Sequence, residues 1–242
     1  MLDMRQVTKV YRTELVETHA LRSLDLHVGE GEFVAVTGPS GSGKTTFLNI
    51  AGLLETFSGG EFRLDGEDVR GLSDDARSKL RNQKIGFIFQ SFNLIPDLNL
   101  FDNCDVPLRY RGMPAAERKL RIEDALGLVG LGSRMNHYPA ELSGGQQQRA
   151  AIARALAGSP RLLLADEPTG NLDSQMARSV MELLEDINQQ GTTIIMVTHD
   201  PELAARAQRN VHIVDGMATD LSIEPGLSRA MHAQSEDAAT HA

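Results

Sequence analysis

Residues 38–45 follow the pattern G-x-x-x-x-G-K-[ST], in which each residue type has a chemical use. Glycines allow the backbone to curl, so that its N–H groups point at phosphate oxygens. Lys44 would contact the β- and γ-phosphates of a nucleotide, and the hydroxyl of Thr45 would bind Mg²⁺. A short apolar run at residues 32–36 precedes the pattern, and residues 46–51 have helical character. Because a strand, a glycine-rich loop and a helix follow one another, we predict a phosphate-binding loop and not merely a glycine-rich turn.

Two adjacent carboxylates, Asp166 and Glu167, follow the apolar run at residues 162–165. The carboxyl end of a buried strand is the edge at which open α/β sheets bind ligands. Asp166 is suited to holding Mg²⁺ through water, and Glu167 to orienting or deprotonating an attacking water. A helix cap directly after a strand is the alternative, which the phosphate-binding pattern in the same chain disfavours.

Two further polar residues, Gln90 and His199, come after the predicted strands at residues 85–89 and 193–197. A lone Gln or His at a strand end is more often an ordinary loop residue. These two would share the carboxyl edge of the sheet with Lys44, and this gives them functional weight. His199 could sense a γ-phosphate, because imidazole donates a hydrogen bond and titrates near neutral pH.

Residues 142–146 form a second candidate anion site, about a hundred residues from the phosphate loop. They offer a hydroxyl on Ser143, free N–H groups and the positive end of a predicted helix. For these five residues alone, a simple Ser/Gly helix cap is the better explanation. A nucleotide enzyme with one self-contained site does not need them.

The elements that must position these residues are strands and helices in alternation. Apolar runs at residues 162–165 and 193–197 flank a helix predicted over residues 174–190. This is a βαβ unit, which implies a right-handed crossover between parallel strands. We therefore expect an α/β protein with a parallel sheet.

Residues 91–160 contain no convincing strand, and helices are predicted there at residues 115–129 and 145–158. We expect this stretch to be a helical subdomain inserted in the α/β core. Residues 61–64 read as a hairpin strand, and a final hairpin is predicted at residues 211–216.

Composition and charge exclude several classes of protein. The chain has 242 residues, 24 Lys+Arg and 33 Asp+Glu, and a formal net charge of −9. This acidic balance argues against non-specific nucleic-acid binding and against a polybasic membrane anchor. The single cysteine, Cys104, cannot form an internal disulfide, and we interpret it as a small buried hydrophobic residue. We found no signal-peptide core and no apolar run of about 20 residues, so we expect a cytoplasmic chain whose partner supplies any membrane span.

These motifs, in this order, resemble those of the nucleotide-binding subunit of ATP-binding-cassette (ABC) transporters. Residues 142–146 match the family signature Leu-Ser-Gly-Gly-Gln letter for letter. Residues 38–45 and 162–167 are similar to the Walker A and Walker B motifs, and the resemblance covers about residues 2–220. The remaining motifs are matched by Gln90 (Q-loop), residues 171–173 (D-loop) and His199 (switch histidine).

The resemblance implies an ATPase that uses ATP and Mg²⁺. The catalytic residues that it implies are Glu167, His199 and Lys44. The metal ligands that it implies are Thr45, Gln90 and Asp166. The nucleotide-binding residues that it implies are Tyr11, Gly38, Pro39, Ser40, Gly41, Ser42, Gly43, Lys44, Thr45, Thr46, Gln90, Ser143, Gly144, Gly145, Gln146 and Asp173. Tyr11 is similar to the aromatic residue that stacks on adenine, although aromatic residues on strands are more often packed in the core.

The family's fold and partners follow as further expectations. The fold would be a P-loop NTPase core with a mainly parallel central sheet, an N-terminal antiparallel β portion and an inserted helical subdomain at about residues 91–160. The ATPase domain would cover residues 2–222, and the small, polar residues 223–242 would form a disordered tail. In this family the signature of one subunit closes over the Walker A motif of a second, which would explain the second anion site.

Within the family, residues 90–96, 142–149 and 166–173 look most like the lipoprotein-release and macrolide-export ATPases. That similarity implies a second copy or a homologous ATPase subunit as partner, a separate permease, and a place at the cytoplasmic face of the inner membrane. A periplasmic partner is left open. Asp102 stands where family members often have a glutamate, which is one methylene longer, in the region that faces the permease. This departure concerns coupling to the permease and not hydrolysis.

The sequence is also compared with the patterns of other nucleotide-binding proteins and of other transporter subunits. A division-linked regulator of cell-wall hydrolases and a peptide-antibiotic exporter remain alternatives within the transporter class. A soluble ABC ATPase of DNA repair or translation would carry a coiled-coil insertion or two cassettes, and this chain has neither. A nucleoside kinase would explain Lys44 and Asp166 but not residues 142–146.

Overall fold

Two sheets form the framework of this computed structural model, which describes residues 1–13 and 16–222. The tail predicted at residues 223–242 lies outside the described residues. In chain order the strands are β1 (Leu2–Arg12), β2 (Glu17–Val28), β3 (Phe33–Thr37), β4 (Gly59–Leu64), β5 (Glu67–Asp68), β6 (Ile85–Phe89), β7 (Leu162–Asp166), β8 (Thr193–Val197), β9 (Arg209–Val214) and β10 (Met217–Asp220).

Helices cover the central sheet and fill the stretch between β6 and β7. They are α1 (Lys44–Ala51), α2 (Asp74–Lys84), α3 (Leu100–Tyr110), α4 (Ala115–Leu128), α5 (Gly144–Leu156), α6 (Ser174–Gln189) and α7 (Pro201–Ala204), with short 3₁₀ turns at Gly132–Arg134 and Pro139–Glu141. Among the helices of residues 1–13 and 16–222, none is long and apolar enough to cross a bilayer.

The central sheet has six strands in the order β10-β9-β3-β8-β7-β6, and every neighbouring pair except β9–β10 is parallel. Its middle strands are buried on both faces, as expected for a parallel sheet covered by helices. The second sheet, in the order β2-β1-β4-β5, is antiparallel and built mainly from the N-terminal strands. The fold class predicted from the sequence is confirmed.

The register of the parallel strands brings four strand ends into one row. Val36 of β3 pairs with Val197 of β8, Val197 with Asp166 of β7, and Asp166 with Phe89 of β6. The residues that follow these four positions must therefore leave the sheet along the same edge. This explains how motifs spread over more than a hundred residues of sequence reach one place.

Helix α3 was not foreseen in the sequence, because polar side chains interrupt its apolar pattern. Asn103 is fully buried, and its amide bonds the backbone of Ile95, Leu98 and Asn99. Asp105 is also buried and is paired with Arg109 and Arg118. The bonds of Asn103 fix the loop at residues 95–99. Both sets of contacts satisfy the buried polar groups.

Candidate functional site

The phosphate loop runs between β3 and α1 and lies against two neighbouring strands. Gly38 and Gly43 have φ angles of +143° and +108°, which side chains disfavour. A Cβ atom on Gly38 would collide with the carbonyl oxygen of Ile213 on β9. A Cβ atom on Gly43 would lie 2.6 Å from the carbonyl oxygen of Ala20 on β2. Glycine is therefore required at both ends of the loop by backbone contact as well as by conformation.

The start of α1 offers free backbone N–H donors, and no side chain of its first turn occupies them. Helix α1 has no side-chain cap at its N-terminus and no acidic residue in its first turn, which contains Thr45 and Thr46. The buried hydroxyl of Ser42 has no hydrogen-bond partner within the described residues. Nζ of Lys44 donates to the carbonyl oxygens of Gly38 and Pro39 at 2.7 and 2.8 Å, so its charge lies over the loop. Such a cradle fits the phosphates of a nucleotide.

The hairpin between β9 and β10 supports the loop from behind, which sequence reasoning missed. The N–H of Gly216 donates to the carbonyl oxygen of Ser42, and the N–H of Arg22 on β2 donates to the carbonyl oxygen of Gly216, each at 3.0 Å. Gly216 thus joins the phosphate loop to the antiparallel sheet. The Asp-Gly pair at residues 215–216 predicts a hairpin, but no local pattern reveals what the hairpin touches.

Asp166 and Glu167 stand at the carboxyl end of β7, as predicted. Burial, and to a smaller extent the neighbouring Glu167 carboxylate, raises the pKa of Asp166, while Lys44 opposes the shift. Glu167 has a left-handed backbone with φ +46°, held by a hydrogen bond from its N–H to the carbonyl oxygen of Val197. Strained backbone of this kind is concentrated at functional sites, where it aims a side chain.

Glu167 and His199 are in direct contact. Nδ1 of His199 lies 2.8 Å from Oε1 of Glu167. The His199 side chain is 73% exposed and the Glu167 side chain 17%, so the imidazole covers the carboxylate from the solvent side. The sequence placed both residues at one edge of the sheet but did not predict this pair.

Gln90 packs on the segment that follows Glu167. Its Nε2 lies 3.4 Å from Oδ1 of Asn171, and Nδ2 of Asn171 donates to the carbonyl oxygen of Gln90 at 3.0 Å. A Cβ atom on Gly170 would lie 2.7 Å from the same Nε2. Arg154 of α5 donates to the backbone carbonyls of Phe92 and Asn93, which steadies the chain after Gln90. The Q-loop and D-loop positions are therefore joined within one chain.

The proposed metal ligands combine one carboxylate with two neutral oxygens. Asp166 pairs in register with Phe89, the residue before Gln90, while Thr45 lies in the first turn of α1. Across the part of the chain that the structure describes, no group of three or more His, Cys, Asp and Glu side chains could hold a metal. Mg²⁺ is commonly held by one or two carboxylates together with substrate phosphates, so this donor set suits it.

The second anion site does not join the first within the chain. Ser143 caps α5: its hydroxyl accepts a bond from the N–H of Gln146, and Oε1 of Gln146 accepts one from the N–H of Ser143. A Cβ atom on Gly145 would contact Met176 of α6, and one on Gly144 would approach Leu172. Within residues 1–13 and 16–222, no hydrogen bond links residues 143–146 to the phosphate loop.

Two other predicted nucleotide ligands have contacts of their own. Asp173 caps α6, accepting from the N–H groups of Gln175 and Met176 at 3.0 and 2.9 Å. Tyr11, near the end of β1, is 40% exposed, so it is not a core tyrosine. Nζ of Lys9 lies 4.9 Å from the centre of its ring.

A family model and the sequences of known proteins both show similarity to ATP-binding proteins of transporters. A family model described as "ABC transporter" matches residues 21–170. The macrolide export ATP-binding/permease protein MacB of Marinobacter nauticus is 46% identical over 216 residues, which are 89% of this chain and 34% of that protein. The chain thus spans about a third of the length of such relatives. An uncharacterized ABC transporter ATP-binding protein of Thermotoga maritima is also 46% identical, over 89% of this chain and 92% of its own.

Solved structures agree with the sequence matches. The dimeric structure of the ATP-binding cassette MJ0796, in a post-hydrolysis state bound to ADP and Pi, has a TM-score of 0.82 and 42% identity to this chain. The match covers 91% of this chain and 99% of that one.

We expect Gly216→Ala to weaken nucleotide binding, because its Cβ atom would lie 2.7 Å from the carbonyl oxygen of Ala20 and push the hairpin off the phosphate loop. A loss of about tenfold in affinity corresponds to about 1.4 kcal/mol of disturbed contacts. Gly66→Ala is the matched control: Gly66 has nearly the same φ, +80° against +74°, and its Cβ atom would meet nothing within 4 Å. Titration with labelled ATP should separate the two variants; equal affinities would refute the supporting role of Gly216.

Proposed function

The chain belongs to the ABC transporter family as an ATP-binding cassette, and we propose that it hydrolyses ATP as a dimer and thereby drives a membrane permease. The observation that carries the proposal is the uncapped N-terminus of α1 behind the phosphate loop, on the sheet edge that also carries Glu167 and His199. Residues 2–222 would act as the ATPase unit.

The reaction would be an in-line attack of water on the γ-phosphate of ATP. The loop N–H groups and Lys44 would stabilise charge on the phosphates. Thr45, Gln90 and Asp166 would hold Mg²⁺, which supplies charge neutralisation at the phosphate oxygens. Glu167 would position the water and receive its proton.

His199 would donate a hydrogen bond to Glu167 or to the γ-phosphate, but not to both at once. In a neutral imidazole only one ring nitrogen donates a hydrogen bond. If Nδ1 donates to Oε1 of Glu167, at 2.8 Å, Nε2 is left as an acceptor and cannot bond a phosphate oxygen. A neutral His199 that turns its N–H to the phosphate must release Glu167, which frees the carboxylate for water.

The second anion site supports a composite site made by two chains. Ser143 contacts its own helix, a Cβ atom on Gly145 would meet Met176 of α6, and one on Gly144 would lie near Leu172. None of these contacts reaches the phosphate loop. MJ0796, which is similar to this chain over nearly its full length, is described as dimeric. We propose that Ser143, Gly144 and Gly145 of a second copy, with Gln146 and Asp173, complete the nucleotide site.

The relatives support an export system. Names of similar proteins include macrolide export and pyoverdine export ATP-binding/permease proteins. We propose that this chain works with a separate permease at the cytoplasmic face of the inner membrane, in lipoprotein release or in macrolide or peptide export. The net charge of −9 favours a protein partner over nucleic acid. Copurification of the permease would identify the cargo class.

Glu167→Gln tests the role of the proposed base. Loss of a general base typically costs 10²–10⁴-fold in turnover, whereas the phosphate contacts that bind ATP stay intact. The ATP-bound variant should accumulate as a dimer, because separation would follow hydrolysis. Turnover and sedimentation with Mg·ATP measure both, and Glu202→Gln, an exposed carboxylate in α7, is the control. Normal hydrolysis by Glu167→Gln would remove Glu167 from the mechanism.

Mixed dimers test whether the site is shared between chains. Lys44→Ala and Ser143→Arg each damage both sites of a homodimer, but a mixed dimer has one site with an intact Lys44 and an intact Ser143. With Glu167→Gln in both chains, ATP should be trapped only in the mixture. Ser73→Arg, which changes the capping serine of α2, is the control for Ser143→Arg and should trap ATP without mixing. No trapping in a mixture of folded, pairing chains would contradict the composite site.

A further inference from the structure

A buried lysine lies directly behind the tyrosine proposed to stack on adenine. Lys9 is 8% exposed and stands two residues before Tyr11 on β1, so the two side chains share one face of the strand. Its Nζ atom lies 4.9 Å from the centre of the Tyr11 ring, within cation–π distance. Tyr11 is the exposed member of the pair, and Lys9 contacts it from the protein side.

The ammonium of Lys9 also bonds the segment that follows α1. Nζ donates to Oε1 of Glu55 at 2.8 Å and to the carbonyl oxygen of Thr56 at 2.7 Å. An ammonium has three N–H groups, and these two oxygens and the Tyr11 ring give each of them one partner. Burying a charge is costly unless it is paired in this way, so the site holds Lys9 in one position.

The bonded segment is itself fixed to the helix that begins at the phosphate loop. The carbonyl oxygen of Asn49, in α1, accepts bonds from the N–H groups of Leu54 and Glu55 at 2.8 and 3.1 Å. Ser58 is joined to β1 through the carbonyl oxygen of Thr8. A continuous set of bonds therefore leads from α1 through Glu55 and Lys9 to the ring of Tyr11.

We propose that Lys9 is a positioning residue, which fixes the Tyr11 ring at a set distance from the phosphate loop and so strengthens the binding of a nucleotide whose base stacks on that ring. This inference rests on the proposed stacking of Tyr11 on adenine. Lys9 does not touch the nucleotide: it acts on the ring from the opposite face. One rigid element, α1, thereby sets the positions of both the phosphates and the base.

The test is Lys9→Met, which removes the charge and keeps most of the length of the side chain. KM for ATP should rise about three- to tenfold, the range that corresponds to one cation–π contact, while kcat changes by less than about twofold. The inhibition constant of inorganic tripolyphosphate, which has no base, should stay unchanged. Lys9→Arg should restore part of the affinity for ATP. Arg5→Met, on the exposed side of the same strand, is the matched control.

The Tyr11→Ala background decides between positioning and general damage. There, Lys9→Met should add nothing to the rise in KM, because the ring that it positions is gone. A similar rise in that background, or equal weakening of tripolyphosphate, would overturn the proposal. If Lys9→Met does not fold, Glu55→Gln, whose carboxylate is partly exposed, should raise KM for ATP in the same direction, and no change would count against Lys9.

The stacking role of Tyr11 and the positioning role of Lys9 can be refuted separately. If Tyr11→Ala leaves KM for ATP unchanged, the stacking role itself is wrong, and the role of Lys9 falls with it. If Tyr11→Ala raises KM but Lys9→Met does not, only the positioning role of Lys9 is wrong.

Discussion

The backbone of the phosphate loop touches the backbones of β2 and β9 more closely than any side chain would permit, and the site depends on this contact. Gly38 lies against Ile213, Gly43 against Ala20, and Gly216 against Ala20 and Leu21. Because backbone atoms do not change rotamer, these contacts leave the loop little room to move. They also join the antiparallel sheet to the central one, so that Tyr11 and Lys44 belong to a single framework.

The parallel register of the central sheet supplies the rest of the site. Since Val36, Val197, Asp166 and Phe89 lie in one row, the residues just beyond them share one edge. On this edge Glu167 lies against His199, and Gln90 lies against Asn171. The same geometry leaves Ser143 away from the phosphate loop, and for this reason we propose that a second chain completes the site.

The sequence predicted what depends on local pattern. Strands 85–89 and 193–197 were predicted to the residue, because apolar runs end there at polar residues. Gly216 and Lys9 were missed as site residues, because their importance lies in contacts with distant backbone that no local pattern records. Helix α3 was missed because its buried face contains the polar Asn103 and Asp105, whose partners appear only in the fold.

We propose that one chain holds an incomplete site and that hydrolysis needs two chains. The most direct measurement is ATPase activity per chain over a wide range of protein concentration, with the oligomeric state determined in the same solutions. We expect activity per chain to rise with concentration and to level off where ATP-bound dimers predominate. Constant activity per chain, down to concentrations at which only monomers are present with ATP, would contradict it.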